Sequence, residues 1–513
     1  MAYQTVNVEK GMLSQARSSK VCVIIILLTC LALLYYLEIG TYLVNWTSLK
    51  GSSPSRNVVG MSDLDHVLST RFLELESILR EIKAEVEGSS QKRNMTQSEE
   101  VKPSVLFQKR DETSHVDCGR ILNGDIAYTT LIATKRPALV PKQVDTSCEA
   151  IRKRVMPPIP MLSLAFGVAY ARIVYKDYTL IEDELRSSYH PQNFFCYSID
   201  RKSDKDFHDR IKQLAVCFPN VIIVKEEFNV DNAGHFMNHA FYKCMQLLAT
   251  KSGWGYLLLL QNHDVITKSP YEMVEIYRLL GGANDVEITP CPEGRWNHSR
   301  EWDARSLKLF VNESSASPTQ LNATLKFAKG ATQASLSRAA VEWLVNTVNL
   351  TTLISQINEQ PFGVDEILIQ SLQITDELDM PGRFTSECLK QGKNTDFISR
   401  MSHWMYGGQE FCRSRKIRRA ICVLGIEDLQ LLSKYPTVMA NKMLPDFDYA
   451  IVDCIHEMIF NRTFLNQIDY PLDSNYYRNM VNVKYHRSRM NHDTNYKLEC
   501  DSKQVEWQQY RYP

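Results

Sequence analysis

The chain has 513 residues, with 59 basic and 59 acidic side chains, so its formal net charge at pH 7 is zero. This balance argues against a nucleic-acid-binding protein, because such proteins carry an excess of basic side chains that neutralise phosphates. Hydrophobic residues make up 44% of the chain, and there are 13 cysteines. The composition therefore indicates a large folded protein in an oxidising compartment.

An uncharged apolar stretch, VCVIIILLTCLALLYYL, occupies residues 21–37. It ends in tyrosines, as membrane spans do at the interface, whereas a cleaved signal peptide has a shorter apolar region followed by small residues. Basic residues precede it at Lys10, Arg17 and Lys20. We therefore predict a cytosolic tail over 1–20 and a signal-anchor transmembrane helix over 21–44, with a cleaved signal peptide as the alternative.

Everything after this span is then predicted to be luminal. The chain beyond it contains eleven of the cysteines and the Asn-X-Ser/Thr glycosylation acceptors, a combination typical of a glycosylated, oxidised domain. The acceptor residues are Asn45, Asn94, Asn297, Asn312, Asn322, Asn349 and Asn461.

Residues 45–117 are rich in Ser, Glu and Lys, which is typical of a stem. Between Leu68 and Val86, apolar residues recur at spacings of four and three. This spacing fits a short coiled coil, through which a homodimer could form, and it equally fits a lone amphipathic helix.

From residue 118 onward the pattern is globular, and we assign 118–490 to a folded domain and 491–513 to a C-terminal tail. Strands are predicted over 163–175, 194–199, 221–224 and 256–260, and helices over 177–188, 204–217 and 233–250. This alternation predicts an α/β domain with a mainly parallel sheet and helices on both faces. Ligands bind at the carboxyl ends of such strands, where Asp200 and the segment 261–264 lie, although these polar residues could simply cap turns.

Familiar cofactor motifs are absent from the sequence. It contains no P-loop, no GxGxxG after a strand, no HExxH and no nucleophile elbow, and its cysteines form no zinc-type CxxC pairs. We interpret the acidic pairs Asp63/Asp65 and Asp446/Asp448 as surface residues and expect neither a metal nor another cofactor.

Five segments, taken in order, resemble the core-2/I-branching β-1,6-N-acetylglucosaminyltransferases, with peptide xylosyltransferases as cousins. They read YHPQNFFCYSIDRKS, WGYLLLLQNHDVITK, GVDEILIQSL, RAICVLGIEDL and ANK. The resemblance extends over 118–458 and implies a glycosyltransferase A-type, Rossmann-like fold. It also implies a type II Golgi membrane enzyme that moves a sugar, GlcNAc in the first instance, from a UDP-sugar to the C6 hydroxyl of a Gal or GalNAc acceptor on an O-glycan.

The resemblance gives a catalytic role to Glu366, as the general base that accepts the proton of the attacking C6 hydroxyl. From the residues alone, Asp365 and Glu366 could merely begin a helix. The charge of the nucleotide diphosphate would be balanced by Arg419 and Lys442, with Arg418 as a neighbour that could substitute. These basic residues could also belong to an ordinary solvated cluster.

The remaining implied site residues divide into two sets. The donor-binding set is Val174, Tyr175, Asp200 and Asn232, and the acceptor-binding set is Glu287, Arg295, Trp404 and Tyr406. Tyr175 and Asn232 depart from the family pattern, which leaves open another UDP-sugar, such as glucose or xylose, and a lectin-like protein without turnover.

The resemblance also implies four disulfides. They are Cys118–Cys454, Cys148–Cys217, Cys196–Cys244 and Cys412–Cys422. Cys291, Cys388 and Cys500 remain unassigned, and an odd number of cysteines leaves at least one thiol free or bridged to another chain.

Overall fold

The computed structural model describes residues 105–395, 397–405, 412–467 and 469–500. The predicted cytosolic tail, signal anchor and coiled coil lie outside the described residues, as do Asn45, Asn94 and Tyr406. Among the described residues, no helix has both the length and the apolar character that a membrane span requires.

The central sheet has five strands in the order β3-β2-β1-β4-β8. The pairs β1–β2, β1–β4 and β2–β3 are parallel, and only β8 joins it antiparallel, against β4. The strands are β1 (Gly167–Val174), β2 (Phe194–Ile199), β3 (Val221–Ile223), β4 (Trp254–Leu260), β5 (Val265–Ile266), β6 (Thr289–Pro290), β7 (Ala328–Lys329), β8 (Ser335–Ser337), β9 (Arg400–Met401), β10 (Ile417–Arg418), β11 (Ile421–Cys422) and β12 (Met439–Ala440). The predicted α/β fold with a mainly parallel sheet is confirmed, and it is consistent with a glycosyltransferase A-type fold.

Helices connect and cover these strands. They are α1 (Cys118–Leu122), α2 (Ile126–Lys135), α3 (Cys148–Val155), α4 (Tyr178–Ser188), α5 (Lys205–Cys217), α6 (Met237–Ala249), α7 (Pro270–Leu280), α8 (Pro318–Leu321), α9 (Arg338–Glu342), α10 (Thr351–Asn358), α11 (Leu368–Ile374), α12 (Glu387–Lys390), α13 (Leu429–Lys434), α14 (Ala450–Phe464), α15 (Ser474–Arg478) and α16 (Val481–Met490).

The alternation of side chains along the strands builds two cores. Ala169 and Ala171 of β1 pack with Leu257 and Leu259 of β4 on one face, together with α6. The intervening residues, such as Tyr170 and Leu258, pack on the other face with α4, α5 and α7. Burial on both faces explains why β4 is almost continuously apolar.

The predicted helix over 233–250 begins later, at Met237. The Asp231 carboxylate accepts hydrogen bonds from the backbone N–H groups of Ala233 and His235, which holds residues 231–235 in a turn. Phe236 then adopts a left-handed conformation with φ of 64°, so the helix cannot extend further towards the N-terminus.

A second, small sheet with the order β5-β12-β9 lies beyond the end of β4. β12 pairs antiparallel with β5 and parallel with β9, so Met439 lies opposite both Ile266 and Arg400. This sheet brings together three segments that are far apart in the sequence.

The four disulfides implied by the resemblance are all present. A fifth joins Cys388 to Cys500, and Cys291 is the free cysteine of the described residues. Because Cys500 is bonded in this way, part of the segment assigned to the C-terminal tail is attached to the domain.

The folded unit also begins before residue 118. Arg110 donates a hydrogen bond of 3.0 Å from Nε to Asp183, and Thr113 is fully buried. The interpretation of Asp448 as a surface residue was wrong. It is fully buried and accepts hydrogen bonds from Arg136 and from the backbone N–H of Ile426, whereas Asp446 is exposed.

Candidate active site

Glu366 lies in a single turn of 3-10 helix, Val364–Glu366, directly before α11. Its Oε2 accepts a hydrogen bond of 2.5 Å from Nη2 of Arg295, whose Nη1 donates to the Phe362 carbonyl at 2.8 Å. Glycine is required at position 363, because the residue has φ of 64° and an added Cβ would lie 1.4 Å from Nη1 of Arg295. Arg295 and Glu366, assigned to the acceptor and to catalysis, therefore form one ion pair.

The neighbouring carboxylate, Asp365, faces the loop that contains Asn232. Burial and the negative charge of Glu366 raise the pKa of Asp365 to about 7. Gly234, with φ of 89°, lies so close that an added Cβ would be 1.9 Å from Oδ1 of Asp365. The backbone N–H of Val364 also donates to the Ala233 carbonyl at 3.1 Å. The donor-side loop is thus attached directly to the carboxylate pair, and Asn232 is exposed within it.

Glu287 reaches the same region from the segment before β6. Its Oε2 accepts a hydrogen bond of 2.7 Å from the backbone N–H of Ala331, and the adjacent Gly330 N–H donates to the Glu366 carbonyl at 3.0 Å. Trp296, next to Arg295, stacks on Phe327 with ring centroids 4.4 Å apart. The structure therefore brings Glu287 and Arg295 to the side of Glu366.

Cys291, which had no predicted role, lies within electrostatic range of Arg295, Lys329 and Glu366. Burial raises the pKa of its thiol to about 11, and the charges of Arg295 and Lys329 oppose this rise. At neutral pH the thiol is therefore protonated and a poor nucleophile.

Three of the donor-side residues meet at the carboxyl edge of the central sheet. β1 ends at Val174, whose carbonyl accepts a hydrogen bond of 2.9 Å from the N–H of Asp200. Tyr175 follows, and its N–H donates to Oδ1 of Asn262 at 2.7 Å. The Tyr175 hydroxyl lies 3.4 Å from Nδ1 of His263.

Basic residues form a cluster beside this edge, which we call the cation cluster: Lys442, Arg418, Arg419 and Arg400. Burial, followed by the positive charges of Arg418 and Arg419 and then that of Arg400, lowers the pKa of Lys442 to about 8. Lys442 is tied to the strand end after β4, because the next residue, Met443, donates its N–H to the His263 carbonyl at 3.3 Å.

Arg419 lies in the turn of the β10–β11 hairpin. The turn consists of Arg419 and Ala420, both left-handed with φ of 53° and 58°, which is the conformation of a type I′ turn. Trp404 forms an isolated bridge with Ile421 of β11, and the residue is 37% exposed. Trp404 therefore lies beside the hairpin and the cation cluster.

Asp264 organises the residues beneath the cation cluster. It is fully buried and accepts hydrogen bonds from the Gln261 N–H at 2.6 Å, from Nε2 of Gln333 at 2.9 Å and from Nδ2 of Asn441 at 2.7 Å. Oε1 of Gln333 then accepts a hydrogen bond of 2.7 Å from Nη1 of Arg400. Gln333 and Arg400 were not predicted from the sequence as site residues. The one signal for Arg400 was its place four residues before Trp404.

One group of potential metal ligands occurs in the described part of the chain: Cys118, Cys454 and Glu457. The two sulfurs are joined in a disulfide, so this group is not a metal site.

Comparison with known proteins identifies a matching family and several relatives. The Core-2/I-Branching enzyme family model matches residues 168–433. Among the relatives are proteins named beta-1,3-galactosyl-O-glycosyl-glycoprotein beta-1,6-N-acetylglucosaminyltransferase. The one from Bos taurus is 25% identical over 376 residues, which cover 69% of this chain and 86% of the relative. Those from Bovine herpesvirus 4 and Homo sapiens are 27% and 24% identical, with 67% of this chain covered in each case and 82% and 85% of the relatives.

The matched range takes in more than half of the chain and includes Arg295, Glu366, Arg400 and Arg419. The chain therefore belongs to the Core-2/I-Branching enzyme family and is a glycosyltransferase.

Proposed function

We propose that this enzyme transfers N-acetylglucosamine from UDP-GlcNAc to the C6 hydroxyl of a Gal or GalNAc residue on an O-glycan acceptor, with inversion at the anomeric carbon. The observation that carries the proposal is that a carboxylate and a cluster of positive charges lie near the same end of the central sheet. The carboxylate of Glu366 is held by Arg295 on one side, and Lys442 lies among arginines on the other. The names of the relatives supply the choice of sugar and linkage.

The geometry of Glu366 supports its role as general base. Arg295 binds Oε2, which leaves Oε1 to accept the proton of the acceptor hydroxyl. As that proton leaves, the hydroxyl oxygen forms a bond to C1 of the donor sugar, and the bond from C1 to the β-phosphate oxygen breaks with its electron pair. A positioned carboxylate contributes about 10²–10⁴-fold to such a step.

The cation cluster supports a mechanism without a metal ion. The leaving nucleotide diphosphate gains negative charge as the C1–O bond breaks, and preorganised positive groups stabilise that charge in the transition state. Asp264, the carboxylate that follows β4, has its oxygens occupied by hydrogen bonds from Gln333 and Asn441. We therefore propose that Lys442 and Arg419 act here in place of a divalent cation.

We further propose a Golgi membrane location with the described domain in the lumen. The charges before the apolar stretch support this orientation, and so do five disulfides, which form in oxidising compartments. The acceptors Asn297, Asn312 and Asn322 are exposed, as glycosylation requires, whereas Asn349 and Asn461 are partly buried. The homodimer through the stem stays a prediction.

A product analysis with the purified full-length protein tests the function. The protein is incubated with a Galβ1-3GalNAc acceptor and, separately, with UDP-GlcNAc, UDP-glucose and UDP-xylose, each with and without EDTA. We expect transfer from UDP-GlcNAc, a β-linkage to C6 by NMR, and full activity in EDTA. Transfer from another donor would correct the sugar, loss of activity restored by Mn²⁺ would refute the cation mechanism, and binding without transfer would favour a lectin-like protein.

A further inference from the structure

Arg400 occupies a position between the cation cluster and the carboxylate pair. Arg400 is the first residue of β9 and lies opposite Met439 of β12. Met439 in turn lies three residues before Lys442. Its positive charge acts on the ammonium of Lys442 and also on the carboxylate of Asp365, where it opposes the rise in pKa that burial causes. Arg400 is thus within electrostatic reach of both halves of the site.

Arg400 has no described anionic partner, and its guanidinium carbon lies 5.9 Å from the centroid of the Trp404 ring, a cation–π contact. Its only side-chain hydrogen bond within the described ranges goes from Nη1 to the neutral amide oxygen of Gln333, at 2.7 Å. No described carboxylate lies within ion-pair distance, and Nε is buried without a hydrogen-bond partner. Two other partly buried arginines differ, since Arg295 pairs with Glu366 and Arg136 with Glu427.

Asp264 fixes the orientation of the Gln333 amide. Its Nε2 donates to both oxygens of Asp264, at 3.1 and 2.9 Å, so Oε1 must point towards Arg400. This arrangement holds the guanidinium in place without neutralising it. A partly buried cation that lacks a counter-charge is costly in the free protein, and a bound anion removes that cost.

We propose that Arg400 is a further donor-binding residue whose guanidinium binds the β-phosphate of the nucleoside diphosphate, with Gln333 and Asp264 as positioning residues. This inference rests on the proposed use of a UDP-sugar. The β-phosphate carries the sugar, and the sugar C1 must lie near Glu366 for attack. The cation that is coupled both to Lys442 and to Asp365 is therefore the one that faces the β-phosphate.

Nucleotide binding to the full-length protein tests this assignment. Calorimetry would measure the Kd of UDP and of UMP, which lacks the β-phosphate, for the wild type, Arg400→Gln, Arg400→Lys and the control Arg278→Gln. Arg278 is exposed and pairs with Glu275 on α7. We expect Arg400→Gln to weaken UDP binding about 10- to 100-fold and to leave UMP within about twofold, because a charge-assisted hydrogen bond is lost. Arg400→Lys keeps the charge and should show an intermediate loss.

Other outcomes separate this inference from the proposed function. If the wild type and Arg278→Gln bind UDP and both Arg400 variants bind it equally well, Arg400 is not a donor-binding residue. An equal loss for UDP and UMP, or a rise in acceptor KM with unchanged UDP affinity, would assign Arg400 a purely structural role, for example in supporting Trp404. If the wild type does not bind UDP, the proposed function and this inference both fail.

Discussion

Glu366 and Arg295 share one hydrogen bond, and that contact decides which carboxylate oxygen is available for chemistry. Arg295 is held by a second bond to the Phe362 carbonyl and cannot turn away freely. The proposed base is therefore oriented in the free protein, which would reduce the reorganisation needed in the transition state.

Replacing Glu366 with Gln should lower kcat by about 10²–10⁴-fold, because an amide can keep the bond to Arg295 but cannot accept the proton. UDP affinity and the melting temperature should stay at wild-type values. Steady-state kinetics and calorimetry measure these quantities, with Glu359→Gln as the matched control. Glu359 forms an exposed pair with Arg300 and should tolerate the change. Near-normal turnover in Glu366→Gln would remove this residue from the mechanism.

Lys442 should make donor binding depend on pH. Its pKa is lowered to about 8, so the ammonium is charged at pH 7 and loses its proton as the pH rises through 8. The affinity for UDP should therefore fall between pH 7 and pH 9.5, by up to about tenfold per pH unit.

Calorimetric titrations across this range provide the measurement. Lys442→Arg is the control, because a guanidinium stays charged throughout this pH range. Asp365, whose pKa is about 7, is present in both proteins, so its titration would affect both equally. A flat wild-type profile, or an identical slope in Lys442→Arg, would contradict the assignment of the titration to Lys442.

The sequence pointed to candidate groups that lie within recognisable segments, such as Glu366, Arg419 and Lys442, and their roles stay predictions. It did not predict Arg400, because the significance of this residue depends on a partner 67 positions away and on that partner being an amide. A guanidinium with a carboxylate partner and one without look the same in a sequence. The cysteines left unassigned were a similar case, since the Cys388–Cys500 bond depends on how the end of the chain folds back.

At the scale of elements, the turn of the β10–β11 hairpin consists of two consecutive left-handed residues, Arg419 and Ala420. Neither residue is glycine, and an L-residue pays about 1 kcal/mol or more in this conformation. Ala420→Gly should therefore stabilise the protein by about 1 kcal/mol and leave UDP affinity unchanged.

Chemical denaturation of Ala420→Gly measures this gain as a higher midpoint. The same substitution at Ala215, within α5, should have the opposite sign, because glycine destabilises a helix interior by up to about 1 kcal/mol. A lower midpoint for Ala420→Gly would mean that contacts of the methyl group outweigh the backbone effect.

Elements with a clear apolar pattern between residues 163 and 260 were predictable, and the two-residue strands were not. Strand 194–199 was predicted with its observed bounds, because a mostly apolar run is flanked by polar residues. β5, β9 and β12 have two residues each and therefore no periodicity to detect. The start of α6 was misplaced because the side chain of Asp231 competes for the first backbone N–H groups.

At the scale of the whole molecule, the Cys118–Cys454 disulfide joins α1 to α14 across 336 positions. On a chain-entropy account, a loop of this length contributes about 5–6 kcal/mol, which is large beside a typical total stability of about 5–15 kcal/mol. Cys454→Ser should therefore cause misfolding and intracellular retention.

Transport of the full-length protein out of the endoplasmic reticulum and thermal melting of any folded material test this expectation. Cys291→Ser is the matched control, since Cys291 is unpaired and its loss should leave stability close to that of the wild type. A folded, normally transported and active Cys454→Ser protein would show that this cross-link is dispensable.

The small β5-β12-β9 sheet has a consequence for the lifetime of the protein. It places Arg400 and Lys442 on segments that meet only when residues near 265, 400 and 440 are joined. A proteolytic nick or partial unfolding that separates any one segment would dismantle the proposed nucleotide site. Conversely, nucleotide at 100 times its Kd would add about 2.7 kcal/mol to the folded state. The supply of sugar nucleotide in its compartment would then help to set how long each copy of the enzyme escapes degradation.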